Sequence, residues 1–312
     1  MMSTTADTSS IIGRKVFFIG FDASMLPEHY LEDYLAHGYE TYRIADDHIC
    51  DIQFKPELIA QLYKGSIILF YIDSPLDGTT WMALISQLQK WHRNDVYIGV
   101  FFSRRSVSSE QQEIENYYAG KLNVPCGCTA LGYQRAQNFI IIDKMLAANN
   151  ANGRRKTVRA FCNSNSGVLF FCGKERFKAV LKDISLNHFS CIFETLPEDG
   201  LSLNQKFTDV QLLVNGSRFR ANAMLVMQRD TPQGMLHVFM LLKPDGTTGL
   251  ADEDYAKLCP QIYQMVTEPI KNKLREAYFV INKQKAAVYT VNEIVNKAMQ
   301  EMKSSGLLPD SV

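Results

Sequence analysis

The chain has 312 residues, 46% hydrophobic and 21% charged, which is the mix of a soluble globular protein long enough for two domains. Lys plus Arg and Asp plus Glu both number 33, so the net charge is zero. No global electropositive field is available to hold a duplex, which argues against nucleic acid as a partner. No apolar run reaches the ~18–20 residues that span a bilayer, so no membrane span is expected. The seven cysteines are odd in number and scattered, with Cys126 and Cys128 the one close pair. Residues 1–11 are rich in Ser and Thr and place no basic stretch before an apolar core. A reduced, cytoplasmic, bacterial protein without metal or other cofactor is the expectation.

Residues 14–146 alternate between strand-like and helix-like stretches. Strands are expected at 15–20, 39–44, 66–72, 97–102 and, weakly, 126–131. Helices are expected at 26–36, 80–93, 110–122 and 135–146. The first helix ends at Gly38, a good C-terminal stop. The stretch 66–72 is nearly all aliphatic or aromatic, as in a strand buried on both faces. Strand and helix repeated about five times imply a parallel sheet with helices on both faces.

The polar stretch 149–153 (Asn-Asn-Ala-Asn-Gly) reads as a linker. Beyond it the pattern changes to short strands, at 158–162, 167–172, 177–184, 189–195, 208–214, 217–228 and 235–242. Asn215-Gly216 between two of them is a strong hairpin signal. Regular short strands without intervening helices predict a small antiparallel barrel. Helical pattern returns at 253–266 and 292–302. The domain reading is 13–148 for the α/β unit, 149–250 for the barrel and 251–312 for a C-terminal helical extension.

The chemistry concentrates at 154–188. Arg154-Arg155-Lys156-Thr157-Val158-Arg159 contains R-x-x-x-R at Arg155 and Arg159, and Asp183-Ile184-Ser185-Leu186-Asn187-His188 follows 24 residues after Arg159. In this order and spacing the two elements resemble the signature of the PilZ domain, R-x-x-x-R followed by D-x-S-x-x-G. His188 stands where the family has glycine. The resemblance covers about residues 153–245. It implies a receptor for cyclic di-GMP, with Arg154, Arg155 and Arg159 toward phosphate and the guanine Hoogsteen edge, and Asp183 and Ser185 toward a base. Arginine suits that task because its planar fork matches phosphate oxygens and the O6/N7 edge of guanine. His188 either obstructs the ligand or stacks on it. The resemblance further implies that the dinucleotide sits at the barrel mouth, that the 149–159 linker orders around it, and that domain reorientation passes the signal to a downstream protein. The alternative is a PilZ adaptor that no longer binds nucleotide and acts through protein contacts.

The first half resembles a response-regulator receiver of flavodoxin-like order, incompletely. Asp22 follows the first strand without an acidic neighbour, Asp73 follows the third and Ser103 the fourth. No lysine follows the fifth, so Asp73 is expected not to take up a phosphoryl group. The domain then serves as a docking or dimerisation module, with a homodimer left open. None of the phosphate-loop, dinucleotide, zinc-protease or nucleophile-elbow motifs occurs, and no enzyme is expected.

Overall fold

The structure, a computed structural model, describes residues 13–304 apart from 23–24, 27, 48, 173–174 and 199, and side chains in the last helix only as far as Lys283. Five strands form the first sheet: β1 (Val16–Ile19), β2 (Thr41–Ile44), β3 (Ser66–Tyr71), β4 (Val96–Ser103) and β5 (Cys128–Leu131). All pair in parallel, in the order β2-β1-β3-β4-β5. The parallel pairing is as the alternating pattern predicts, and the order is the flavodoxin-like one that the receiver resemblance implies. The sheet residues alternate between two cores. Phe17, Ile19, Ile68, Phe70, Ile98 and Val100 face one side, while Val16, Phe18, Ile67, Leu69 and Phe101 face the other.

Helices α1 (Glu28–Ala36), α2 (Lys55–Leu62), α3 (Trp81–His92), α4 (Ser108–Glu115) and α5 (Arg135–Ala148) join the strands. Leu31 and Tyr34 of α1 and Ile142 and Leu146 of α5 cover one face; Leu58 of α2 and Ile85 of α3 cover the other. Thr80 caps α3 by accepting the Ala83 N–H at 3.2 Å, as its place before an apolar-periodic run suggests. Helix α2 was not expected from the sequence, because Pro56 reads as a breaker. It occupies the first turn, where its missing N–H would have no partner anyway.

The second unit is built from β6 (Ala160–Phe161), β7 (Gly167–Cys172), β8 (Glu175–Ile184), β9 (His188–Phe193), β10 (Lys206–Val214), β11 (Ser217–Thr231) and β12 (Gly234–Leu242). The order β8-β7-β10-β11-β12-β9 closes on itself through a β8–β9 pairing, and β6 adds to β8. The result is a six-stranded antiparallel barrel, as expected from the strand spacing. Phe170 sits at its centre, with ring centroids of Phe193, Phe207 and Phe239 at 4.9, 5.3 and 4.9 Å, and Phe189 stacks on Phe239 at 5.1 Å.

The largest departure from the sequence reading is at the C-terminus. One helix, α6 (Asp252–Ser304), replaces the two helical stretches, and Pro260 and Pro269 lie inside it. Each proline removes a backbone hydrogen bond, and Pro269 falls just past the first expected stretch, which ends at 266. Burial offsets that loss. Leu258, Ile262, Val266, Ile270 and Leu274 recur every four residues. At about 100° per residue, each step of four overshoots a turn by about 40°, so the stripe creeps around the helix. Its start, Leu258 and Ile262, packs into the barrel core, and its end, Ile270 and Leu274, packs into the sheet core beside α2 and α3. Val266 touches both. A single cooperative unfolding transition is therefore expected. Ile262→Ala and Ile270→Ala should each cost ~2–4 kcal/mol and shift that one transition. Two separate calorimetric transitions, each sensitive to one substitution, would show that α6 does not join the cores.

A histidine cluster ties α3 to α2. His92 Nε2 lies 2.8 Å from Glu57 Oε1 and its Nδ1 3.3 Å from Asp95 Oδ2. Burial would lower the His92 pKa, but hydrogen bonds to the two carboxylates outweigh it and raise the value. The resulting stabilisation is complete below the ordinary histidine value of about 6.5 and fades as pH rises through the higher folded value. Melting curves of His92→Gln and wild type should differ most at pH 6, and the difference should shrink as pH rises above the ordinary histidine value.

Candidate functional site

The arginine segment 154–159 is not a free strap. Arg14 N donates to Ala151 O at 3.0 Å, and Gly13 bridges Asn152. Its backbone lies on the turn after α1. A Cβ at Gly38 (φ +87°) would stand 3.0 Å from Lys156 O and 3.2 Å from Arg155 O. Only glycine permits that approach together with that φ. The expectation that this linker is loose until a ligand orders it is therefore revised: it is seated on the sheet domain in this structure.

The segment borders a cavity of about 590 Å³ lined from four sides. Arg155 and Arg159 come from the segment, Phe161 and Asp183 from β6 and β8, and Met227, Arg229, Leu236 and Val238 from β11 and β12. Lys15 and Glu40 come from the sheet domain, and Met265, Val266, Pro269 and Ile270 from α6. The volume is that of a small-molecule site. The cavity lies on the outer wall of the barrel and not at its mouth. Phe189 and Cys191 of β9 point into the core, so Ser190 between them points out. A bulge between Leu181 and Asp183 turns Asp183 outward as well. Register then sets Asp183 beside Ser190, Ser190 beside Val238 and Val238 beside Met227, one continuous row across the wall.

Charge is only partly balanced here. Arg159 Nη1 lies 3.3 Å from Asp183 Oδ1, and Ser190 Oγ donates to Asp183 Oδ2 at 2.6 Å. Lys15 pairs with Glu40, which also accepts from Tyr42. Among the described residues no hydrogen bond or ion pair engages the side chains of Arg155 or Arg229. The site thus presents two unpaired guanidinium groups and one held arginine–aspartate pair against an apolar wall.

The sequence-derived residues divide accordingly. Arg155, Arg159 and Asp183 come together in the cavity, while Arg154 is exposed and outside its lining. Ser185 is buried and serves the β8–β9 hairpin: its Oγ accepts His188 N–H and donates to His188 O, both at 3.1 Å. Ser185 N donates to His188 O at 2.7 Å. Ser185 thus does not join Asp183 at the cavity, because the strand ends at Ile184 and Ser185 already belongs to the hairpin turn. His188 does not have the positive φ that would require glycine, so it fills its place without backbone strain. Burial, and then the neighbouring Arg159, push its imidazole below the usual histidine range. Sequence reasoning missed Arg229, Phe161, Lys15 and the α6 wall. Arg229 reads as an ordinary charge near a hairpin end, and nothing local marks it; the four-residue stripe of α6 was the legible signal for the wall.

The receiver-like site is closed by its own side chains. Asp73 Oδ2 accepts Ser103 N–H at 2.6 Å, and its other oxygen is held by the Arg105 guanidinium. Asp22 Oδ1 accepts Met25 N–H at 2.9 Å. The crevice between β1 and β3 is filled: a Cβ at Gly20 would meet Tyr71 O at 2.6 Å and Ser74 Oγ at 2.7 Å. No group of three or more His, Cys, Asp or Glu positioned to hold a metal ion occurs among the described residues.

No protein-family profile matches the chain, and no curated protein matches it in sequence. Among solved structures it is similar to the PilZ domain with c-di-GMP of YcgR from Escherichia coli, at 14% identity over 40% of this chain and 96% of that one (TM-score 0.29). It is also similar to MrkH of K. pneumonia in its apo state, at 12% identity over 38% and 55% (TM-score 0.32). A third is the Bacillus subtilis inhibitor of motility MotI, at 14% identity over 36% and 50% (TM-score 0.27). The chain spans only about half the length of the two longer neighbours. No helix among the described residues is long and apolar enough to cross a membrane.

The geometry at Asp73 makes a direct test simple. Incubation with a small phosphodonor and magnesium should leave the intact mass unchanged, because Arg105 and the Ser103 N–H already occupy the carboxylate. Stoichiometric addition that disappears in Asp73→Asn would contradict this.

Proposed function

We propose that this protein is a receptor for cyclic di-GMP that binds the dinucleotide in the cavity between the barrel wall, the arginine segment and α6. The observation that carries the reading is the charge arrangement. Two unpaired guanidinium groups, Arg155 and Arg229, flank the Arg159–Asp183 pair over the apolar residues Met227, Leu236 and Val238. A ligand with two phosphates and two flat bases fits that pattern. The phosphates take Arg155 and Arg229 through charge-assisted hydrogen bonds. Arg159 turns its fork toward a guanine edge, and Asp183, steadied by Ser190, accepts from guanine N–H groups. The ring of Phe161, largely exposed beside Asp183, offers a stacking surface.

Ser185 supports this site indirectly, by fixing the hairpin that carries His188 and Ser190. His188 lies beside Arg159, with a neutral ring near pH 7. Arg154 adds to the local field from outside the cavity. The ligand is bound and not transformed, and the protein acts without a cofactor. We treat residues 13–148, 149–250 and 251–312 as the units that move relative to one another. Occupying a cavity bounded by all three changes how α6 and the sheet domain sit on the barrel, which a downstream protein reads.

Calorimetry should show micromolar or tighter binding of cyclic di-GMP, about −8 kcal/mol or better. Arg155→Ala, Arg159→Ala and Arg229→Ala should each lose ~1.5–3 kcal/mol. Ser185→Ala should lower the melting temperature more than the affinity. With a neutral His188, affinity should be level between pH 7 and 8. No heat and no melting shift at about 100 µM ligand would overturn the reading and leave an adaptor that works through protein contacts.

A further inference from the structure

A second pocket, of about 180 Å³, opens between the loop after β2 and the middle of α6. Four cations line it: Arg43 from β2, Lys55 from the start of α2, and Lys271 and Arg275 from α6. Two carboxylates, Asp46 and Asp47, line it with them, both engaged locally, and Lys271 Nζ lies 3.6 Å from Glu268 Oε1. Asp46 accepts Ile52 N–H. Asp47 Oδ1 accepts Ile49 N–H at 3.0 Å and Cys50 N–H at 2.8 Å, while Oδ2 lies 3.0 Å from Lys55 Nζ. Lys55 is almost fully buried and also donates to Ala45 O. Arg275 Nε stands 3.7 Å from Asp47 Oδ2, beyond hydrogen-bond reach, and is buried with no acceptor. A buried N–H left in that condition is costly, and it marks where an acceptor is missing.

We propose that this pocket binds a small oxyanion of the phosphate class, either free or as the terminal group of a small ester. The unsatisfied Arg275 Nε–H, with the buried Lys55 and the rim Lys271 beside it, suits an oxyanion, and the volume admits a group of phosphate size with little besides. Arg275 would donate its unsatisfied Nε–H, and Lys271 would close the exposed side. Asp47 does not compete by taking a proton. Burial would raise its pKa, but hydrogen bonds from Cys50, Lys55 and Ile49 bring it down to about 2, so it stays charged and keeps Lys55 in place. Bound there, the anion ties α6 to the β2–α2 loop. The residues are separate from the arginine segment, so this inference stands apart from the proposed dinucleotide site.

The test is thermal melting of the full chain in sodium phosphate, in glycerol phosphate, and in sodium chloride of matched ionic strength. Phosphate at about 10 mM should raise the midpoint by roughly 2–4 °C over chloride. Lys271→Gln and Arg275→Gln should abolish the rise, and Arg155→Ala should keep it. Lys271 lies at the exposed rim, so its variant serves even where Arg275→Gln folds poorly. A larger shift with glycerol phosphate assigns the site to an ester, and a larger shift with inorganic phosphate to the free ion. A rise no greater than with chloride, one retained in Lys271→Gln, or one lost in Arg155→Ala would each overturn the proposal.

Discussion

The structure depends on one helix being buried by two different cores. Leu258 and Ile262 belong to the barrel, Ile270 and Leu274 to the sheet, and Val266 to both. Neither surface can release α6 without exposing apolar area in the other, at roughly 25 cal/mol per Å². The same constraint makes the cavity. Met265, Val266, Pro269 and Ile270 form its wall only because the helix crosses from one unit to the other at that point. A site built this way has its three sides held by contacts far from the ligand, which limits the ordering cost of binding.

The elements that were legible in the sequence carried their own local signal. The strand β3 is a bare apolar run, α3 has a threonine cap and a helical period, and β10–β11 turns at Asn-Gly. What was not legible came from tertiary context. Helix α2 was hidden by a proline that is harmless in a first turn, and the continuity of α6 past 266 by Pro269, whose cost is met by burial on both sides. The site shows the same division. Arg155, Arg159 and Asp183 could be found by spacing along the chain. Arg229 could not, because it arrives through the β11–β12 pairing, and no spacing rule reaches across it. Ser185 illustrates the converse: a residue of the expected type in the expected place whose hydroxyl is taken up by its own hairpin, because the strand ends one residue before it.

Two potential sites in the molecule are treated in opposite ways by their own charges. At the carboxyl ends of β3 and β4, Asp73 is paired with Arg105 and bonded to the Ser103 N–H, so both its oxygens are engaged. On the barrel wall, Arg159 is neutralised by Asp183 while Arg155 and Arg229 are left without partners. Paired charges at a surface contribute little to stability. Leaving two arginines unpaired therefore gives up little fold energy and keeps two donor forks available. The fold has engaged the acid at the end of the sheet and left the arginines on the barrel wall open.

The geometry also decides what a ligand could do once bound. Arg155 sits on the turn at Gly38, Arg229 on the barrel, and Ile270 on the helix that bridges them. A molecule contacting all three would change the free energy of the sheet domain, barrel and α6 being close together, and not the free energy of any one unit alone. Its effect on a partner then equals its difference in affinity between arrangements of these units, and no larger.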